Sequence, residues 1–345
     1  MQAENHQKNN EDQNISNTKK KMYSFQKIDD YKTFFREYRT LKMINNKSEY
    51  LIKLKDIKLY NDDNQTKVDL IFLNEGIDLF SLINSKLYDY RDSKNLIKWI
   101  LFQILKGIEV LHSLNIIHRN INPNNILISS TGAIKISGFE YSINDIESKF
   151  VEDKIIGNLS YIAPESLLGL NYDHKIDIWS IGIIMIELYL KTTNLLTLKK
   201  ENNIEDNNVN NDYNNIFLKQ FKNISNFFNI NCNKNNIKDS SSWLENAKFK
   251  KDIFAKIFGN NIIDDDALDL LEKLIAFNPK DRISAKDALT SNYFKEFSYA
   301  LFEDYNLPKF LINLEKEFQK KENEEIKMNR FKKELINICQ NEGII

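Results

Sequence analysis

Glycine is scarce in this chain: there are nine in 345 residues, and none precedes Gly76. A phosphate-cradling backbone nest needs residues free of a Cβ, so the stretch ahead of Gly76 offers no glycine-built anion loop. Proline is scarcer, with four residues, and three of these (Pro123, Pro164 and Pro279) fall inside the motifs described below. Two cysteines, Cys232 and Cys339, are too few and too isolated for a disulfide framework or a cysteine metal site. No apolar run approaches the roughly 18 residues of a membrane span, and Met1–Lys20 is too polar for a signal peptide. Charge of neither sign prevails: 48 Lys and Arg stand against 49 Asp and Glu, a formal net charge of −1, which argues against nucleic acid or an anionic membrane as partner. An intracellular protein, cytoplasmic or nuclear, is the expectation.

What is present is a globular composition, 42% hydrophobic and 28% charged, with ample length for a core. Met1–Lys20, rich in Asn, Gln, Glu and Lys, reads as disordered, since it has little apolar surface to offset ordering entropy. Met22–Ile28 alternates as a strand, Tyr31–Ile44 carries apolar residues at helical spacing, and Leu51–Leu59 and Val68–Leu73 read as two further strands. The pattern then turns helical. Leu79–Ile83 is short, and Asn95–Leu114 and Ile176–Leu190 are apolar over so much of their circumference that both belong in a core. A hairpin, Ile126–Ser129 and Ala133–Ile136, intervenes. Further helices are expected near Ile216–Phe228, Ala267–Ala276 and Ser284–Thr290, with apolar stripes at Phe310–Phe318 and Ile326–Ile338.

Between two apolar runs lies I-I-H-R-N-I-N-P-N-N-I-L-I, Ile116–Ile128. It has the frame of a catalytic loop H-R-D-x-x-x-x-N, with His118, Arg119 and Asn125 in place and Asn120 at the aspartate position. Four more motifs follow in order: K-I-S-G-F-E (Lys135–Glu140), G-N-L-S-Y-I-A-P-E (Gly157–Glu165), D-I-W-S-I-G (Asp177–Gly182), and N-P-K-D-R-I-S-A-K-D-A-L containing Arg282. From about Tyr23 to Phe294 the chain thus resembles the eukaryotic protein-kinase family, most like its cyclin-dependent and mitogen-activated branch. The resemblance implies an α+β, two-lobed fold: a disordered N-terminus at 1–20, a reduced N-lobe at 21–75, a helical C-lobe at 76–298 with an Asn-rich insert near 199–242, and a helical C-terminal extension at 299–345.

It also implies a division among the site residues. Those that hold the C-lobe are kept: His118, Arg119, Glu165, Asp177 and Arg282. Those that would touch phosphate, metal or a substrate hydroxyl are changed: Asn120 at the base, Asn122 at the neighbouring lysine, Gly138 at the metal-binding aspartate, Asn158 at the activation-segment threonine. Aligning Y-S-F-Q-K-I with V-A-I-K-x-I puts Gln26 at the phosphate-pairing lysine, with Lys27 on the opposite strand face and Glu37 deprived of its cationic partner. Asn125, Glu37 and the hinge at Leu73 and Glu75 remain as vestiges of a nucleotide site, with Phe72 narrowing the pocket behind the hinge. Taken singly, Asn120 reads as an inert loop residue, Asn125 as a backbone-bonding one and Glu140 as a solvated carboxylate.

The expected function is therefore a catalytically inactive kinase-like scaffold, with no cofactor or metal and with protein partners. Phe34, Phe35 and Arg36 are its candidate contacts, because adjacent helical side chains point about 100° apart and both phenylalanines cannot face the core. Arg119 would pair with a phosphorylated Ser142 or Ser148. Two alternatives stand beside it: an atypical Ser/Thr kinase with a rebuilt site in which Glu140 and Lys27 take new roles, and a kinase fold that binds ATP through the hinge without transferring phosphate.

Overall fold

The computed structural model describes residues 18–62, 65–85, 94–144, 156–196, 212–228, 230, 244, 247, 253–259 and 263–295. The expected extension at 299–345 and most of the insert at 199–242 lie outside them.

The smaller lobe is a three-stranded antiparallel sheet and one helix. β1 (Thr18–Ser24), β2 (Leu54–Asp62) and β3 (Gln65–Leu73) order as β1-β3-β2, with Lys21 opposite Leu70 and Ile57 opposite Leu70 from the other side. The apolar run Val68, Leu70, Ile71, Phe72 makes β3 the buried central strand. α1 (Ile28–Ile44) follows β1. Its start is fixed by Asp30, whose carboxylate accepts the backbone N–H groups of Gln26 and Lys27 at 2.8 Å each. That carboxylate is held below its usual range by those two backbone donors. Two sequence expectations change here. Thr18, Lys19 and Lys20 are strand rather than disordered, and Gln26 and Lys27 belong to the bend entering α1 rather than to a strand.

The larger lobe is helical. α3 (Lys94–Ser113) and α5 (Lys175–Leu190) are its spine, and both are apolar nearly all round. Ile97, Ile100, Ile104, Leu105 and Ile108 of the first and Ile178, Trp179, Ile181 and Ile183 through Ile186 of the second are fully buried. α8 (Asp265–Leu274) crosses α5 where Gly182 leaves room: a Cβ there would sit 2.2 Å from Ile275 Cγ2. α9 (Ala285–Ala288) and α10 (Asn292–Lys295) close over α3, while α6 (Asp212–Phe227) and α7 (Ile253–Phe258) add Phe221, Ile224, Phe254 and Phe258 to the core. At the junction lie short elements: β4 (Ile77–Asp78), α2 (Leu79–Ile83), β5 (Ile116–Ile117), the hairpin β6 (Ile126–Ile128) and β7 (Ile134–Ile136), β8 (Ile143–Asn144) and α4 (Pro164–Leu167). Ile52 N–H donates to Ile136 O at 3.0 Å and Ile136 N–H to Tyr50 O at 2.8 Å, tying the small lobe to the β7 edge. This is the expected α+β, two-lobed architecture. Among the described residues no helix is long and apolar enough to cross a membrane.

Below α5 the A-P-E carboxylate and Arg282 form a closed polar knot. Arg282 donates to Glu165 through both terminal nitrogens, at 2.7 and 3.1 Å, and to the carbonyls of Ala276, Lys175 and Phe277 at 2.9, 2.9 and 3.3 Å. All five guanidinium N–H donors are thereby used, and the plane stacks over Trp179 at 5.3 Å.

Candidate active site

Side chains alternate along β1, so Lys21 and Tyr23 share the face that looks toward α1, and Lys20 turns away to Asp69 at 3.3 Å. Lys21 Nζ stands 2.9 Å from Glu37 of α1 and 2.9 Å from Glu140. Tyr23 donates its hydroxyl to the same Glu37. The position that pairs with the helix glutamate is thus Lys21, not Gln26, and Glu37 keeps its cation. Gln26 is exposed in the bend. The displacement has a physical cause: the strand begins four residues earlier than the Met-Tyr-Ser-Phe alternation suggests, and three consecutive lysines look like a solvated tail until a partner strand orders them.

Burial opposes charge on both members of this cluster. The carboxylates of Glu37 and Glu140 nevertheless hold Lys21 above its usual range, and Lys21 holds Glu140 below the usual carboxylate range. Both ions are therefore charged near neutrality. Burial first, and then the charge of Glu37, push the Tyr23 phenol up, so it stays a donor. Glu140 is not the solvated carboxylate its sequence context suggests: its side chain is 17% exposed.

The catalytic-loop frame is held from below by Asp177. One carboxylate oxygen accepts His118 N–H at 2.9 Å and lies 2.9 Å from His112 Nε2; the other accepts Arg119 N–H at 2.9 Å. Burial raises the carboxyl's proton affinity, but these donors and the two imidazoles bring it below the usual range. Arg119, at φ 64°, takes a left-handed turn that the two bonds from Asp177 stabilise. Its side chain donates to Tyr141 O at 2.6 Å and to the Tyr172 hydroxyl at 3.0 Å. His118 is fully buried, and burial pulls its proton affinity down. Its Nε2 faces Ser137 O at 2.9 Å and its Nδ1 accepts Asn120 N–H at 3.2 Å, so the neutral ring carries its proton on Nε2.

Two of the changed positions, Asn120 and Asn122, form a connected amide network with the retained Asn125. Asn122 donates to both the carbonyl and the side-chain oxygen of Asn120 at 2.9 Å, and Asn125 Nδ2 donates to Asn120 O at 2.8 Å. Asn120 Nδ2 in turn donates to Glu140 at 3.2 Å. Asn120 is therefore no inert loop residue but the link between loop and ion cluster. Gly138, at φ 81°, faces Asn125: a Cβ there would fall 2.4 Å from Asn125 Cγ. An aspartate at 138 has no room while Asn125 keeps this place. Asn158 turns inward to cap its own turn through Ser160 N–H at 3.1 Å.

The hinge runs from the half-exposed Leu73 through Glu75 to Gly76, whose carbonyl accepts Lys19 Nζ at 3.1 Å, with Phe72 buried behind it. On α1, Phe34 is buried and Phe35 is 59% exposed; Arg36 is partly buried beside them. Ser142 is fully buried and its hydroxyl lies 2.6 Å from Thr40, so it is closed to modification; Ser148 lies outside the described residues.

A divalent cation is what a phosphoryl-transfer site of this frame implies. Magnesium commonly takes one or two carboxylates and leaves its remaining positions to phosphate and water. Glu140 and the side-chain oxygen of Asn125 are donors of that kind, and they meet Asn120 at different atoms: Glu140 accepts from its side-chain amide, and Asn125 donates to its backbone carbonyl. One carboxylate and one amide oxygen fit magnesium in kind, with the carboxylate two residues along the chain from Gly138. Among the described residues no group of three or more His, Cys, Asp or Glu gathers to hold an ion.

A family model described as protein kinase domain matches residues 5–294. The chain is 31% identical over 273 residues to mitogen-activated protein kinase sty1 of Schizosaccharomyces pombe, covering 75% of this chain and 68% of that protein. It is 29% identical to HOG1 of Candida albicans (76% of this chain, 64% of the relative) and 31% identical to HOG1 of Saccharomyces cerevisiae (75% and 54%), both also named mitogen-activated protein kinases. The chain thus spans from about half to two-thirds of these relatives' length. The expectation of an inactive scaffold is corrected by this similarity, which runs to proteins named as kinases. One part of its structural premise falls as well, because Glu37 keeps a cationic partner in Lys21, while Asn120, Asn122 and Gly138 stand as read.

Proposed function

This chain belongs to the protein kinase family, and on that premise we propose that it is an atypical serine/threonine protein kinase of the mitogen-activated type, with its phosphate site rebuilt around Lys21 and Glu140. The observation that carries the reading is the Lys21–Glu37 ion pair at 2.9 Å, with a second carboxylate, Glu140, beside it.

Transfer of a phosphoryl group passes through a loose transition state in which positioning and charge stabilisation dominate. In this reading Lys21 supplies the cation for the nucleotide phosphates, and Glu37 together with Tyr23 fixes its direction. Glu140 and Asn125 would hold a divalent cation, which neutralises charge on the transferring group. Asn120, anchored by Asn122 and Asn125, orients the substrate hydroxyl by hydrogen bonding but takes no proton from it. As the hydroxyl oxygen bonds to the γ-phosphorus and the bond to the departing ADP oxygen breaks, the proton passes to an oxygen of the transferred phosphoryl group. Loss of the general base costs about 10²–10⁴ in rate, so the enzyme is slow rather than inert. Its partner is a protein substrate bearing Ser or Thr.

Two measurements test this. ATP with Mg²⁺ should raise the melting temperature by mass action, and phosphate should pass to a Ser/Thr peptide at a slow rate that Lys21→Met abolishes. A chain that shows no shift at saturating ATP and Mg²⁺ and no transfer would overturn the proposal.

A further inference from the structure

Resting on that reading, we infer that Glu140 is an internal competitor for Lys21: its carboxylate occupies the lysine in place of the nucleotide phosphates, and nucleotide binding is coupled to a divalent cation that draws Glu140 away.

The geometry points to a second carboxylate that a positioning role does not require. Glu37, 3% exposed and anchored by Tyr23, suffices to aim Lys21. Glu140 approaches the same ammonium at the same 2.9 Å from the other lobe, across the cleft. One cation against two carboxylates leaves the cluster net negative. A triphosphate arriving alone meets that charge and finds Lys21 engaged. A like charge beside Lys21 repels an arriving anion and competes with it for the lysine, so one extra carboxylate there is a substantial barrier to a triphosphate.

The remaining contacts make Glu140 movable. Its other oxygen accepts from Asn120 Nδ2 at a long 3.2 Å, and its residue lies on a single turn that follows the left-handed Gly138. Among the described residues its carboxylate is held by Lys21, Asn120 and its own backbone N–H, without the five-donor closure that fixes Arg282. Asn125, whose Nδ2 donates to the backbone carbonyl of the same Asn120, supplies the neighbouring amide oxygen. Glu140 can thus exchange Lys21 for a metal ion, and the exchange frees the lysine for phosphate. In an ordinary arrangement the metal carboxylate and the lysine are separate tools. Here one carboxylate serves both states.

The test is ATP binding by titration, with and without Mg²⁺, on the full chain and on Glu140→Gln. The wild type should bind ATP weakly without metal and markedly better with it. Glu140→Gln, which removes the charge but keeps the length, should bind metal-free ATP about tenfold more tightly or better, and should lose most of the response to Mg²⁺. Lys21→Met should bind poorly in either condition. Matched melting curves without nucleotide exclude a trivial folding effect. If Glu140→Gln binds metal-free ATP no better than wild type, or if neither protein binds it, the inference fails. Transfer to peptide is scored separately. A Glu140→Gln gain without wild-type transfer sinks the kinase reading but keeps the competitor, and transfer without that gain does the reverse.

Discussion

Two charged clusters in this molecule use the same chemistry to opposite ends. The Arg282–Glu165 pair sits at 0% and 1% side-chain exposure, balanced one to one, with every guanidinium donor satisfied. The Lys21–Glu37–Glu140 cluster leaves its lysine 39% exposed, carries an excess carboxylate, and joins elements from both lobes. A closed cluster fixes a fold because any rearrangement strands a buried charge. An open, unbalanced one can rearrange at smaller cost, as the proposed phosphate site requires. The contrast separates fold stability, beneath α5, from the proposed chemistry, in the cleft between β1 and the catalytic-loop frame.

The largest effect is expected at the closed cluster. Glu165→Ala leaves a fully buried arginine uncompensated and should cost about 3–5 kcal/mol in denaturant unfolding. A loss under about 1 kcal/mol would show that the two clusters do not differ in kind. Next, Gly182→Ala pushes a methyl group into Ile275 and Leu274 at the α5–α8 crossing, so overpacking should cost about 1–3 kcal/mol. A neutral outcome would mean that α8 slides freely.

A third test uses pH. Glu187, fully buried in α5, accepts from the Tyr161 hydroxyl at 2.8 Å and Leu195 N–H at 3.0 Å. Burial nonetheless pushes its carboxyl up from 4.5 to about 7. The native state therefore binds more protons than the unfolded one between those values, and this group's contribution to stability falls as pH rises through that window. Unfolding midpoints measured from pH 5 to 7 should show the decline, and Glu187→Gln should flatten it. An unchanged slope would place the titration elsewhere. The smallest stability effects belong to the cleft and the helix surface. Lys21→Met leaves the nearly buried Glu37 with only the Tyr23 hydroxyl as a partner and should cost about 1–2 kcal/mol, below the Glu165→Ala loss, while ATP binds poorly. Phe35→Ser on exposed α1 should stay within about 0.5 kcal/mol. A large destabilisation by Lys21→Met would erase the contrast between the clusters.

Much of this was legible beforehand. The buried spine helices announced themselves by apolar residues around their whole circumference, and the hairpin at 126–136 by two short isoleucine runs about a Gly turn. The motif residues of the large lobe are local in sequence, so their spacing carried them. Lys21 was not legible. Its neighbours Lys19 and Lys20 are lysines too, and only pairing with β3, 49 residues from Lys21 to Leu70, decides which of the three faces α1. Glu140 was misread for the same reason: its burial comes from a lysine 119 residues away.

By itself, then, the sequence determined the lobes, the helical core and the list of altered positions around Asn120, because periodicity and motif spacing are short-range properties of the chain. Which lysine faces Glu37, what Glu140 touches, and why position 138 has no room for a side chain beside Asn125 were decided only by the tertiary structure. Strand register and cross-cleft contacts depend on segments far apart in sequence, and a single residue of register turns a side chain to the opposite face of the sheet.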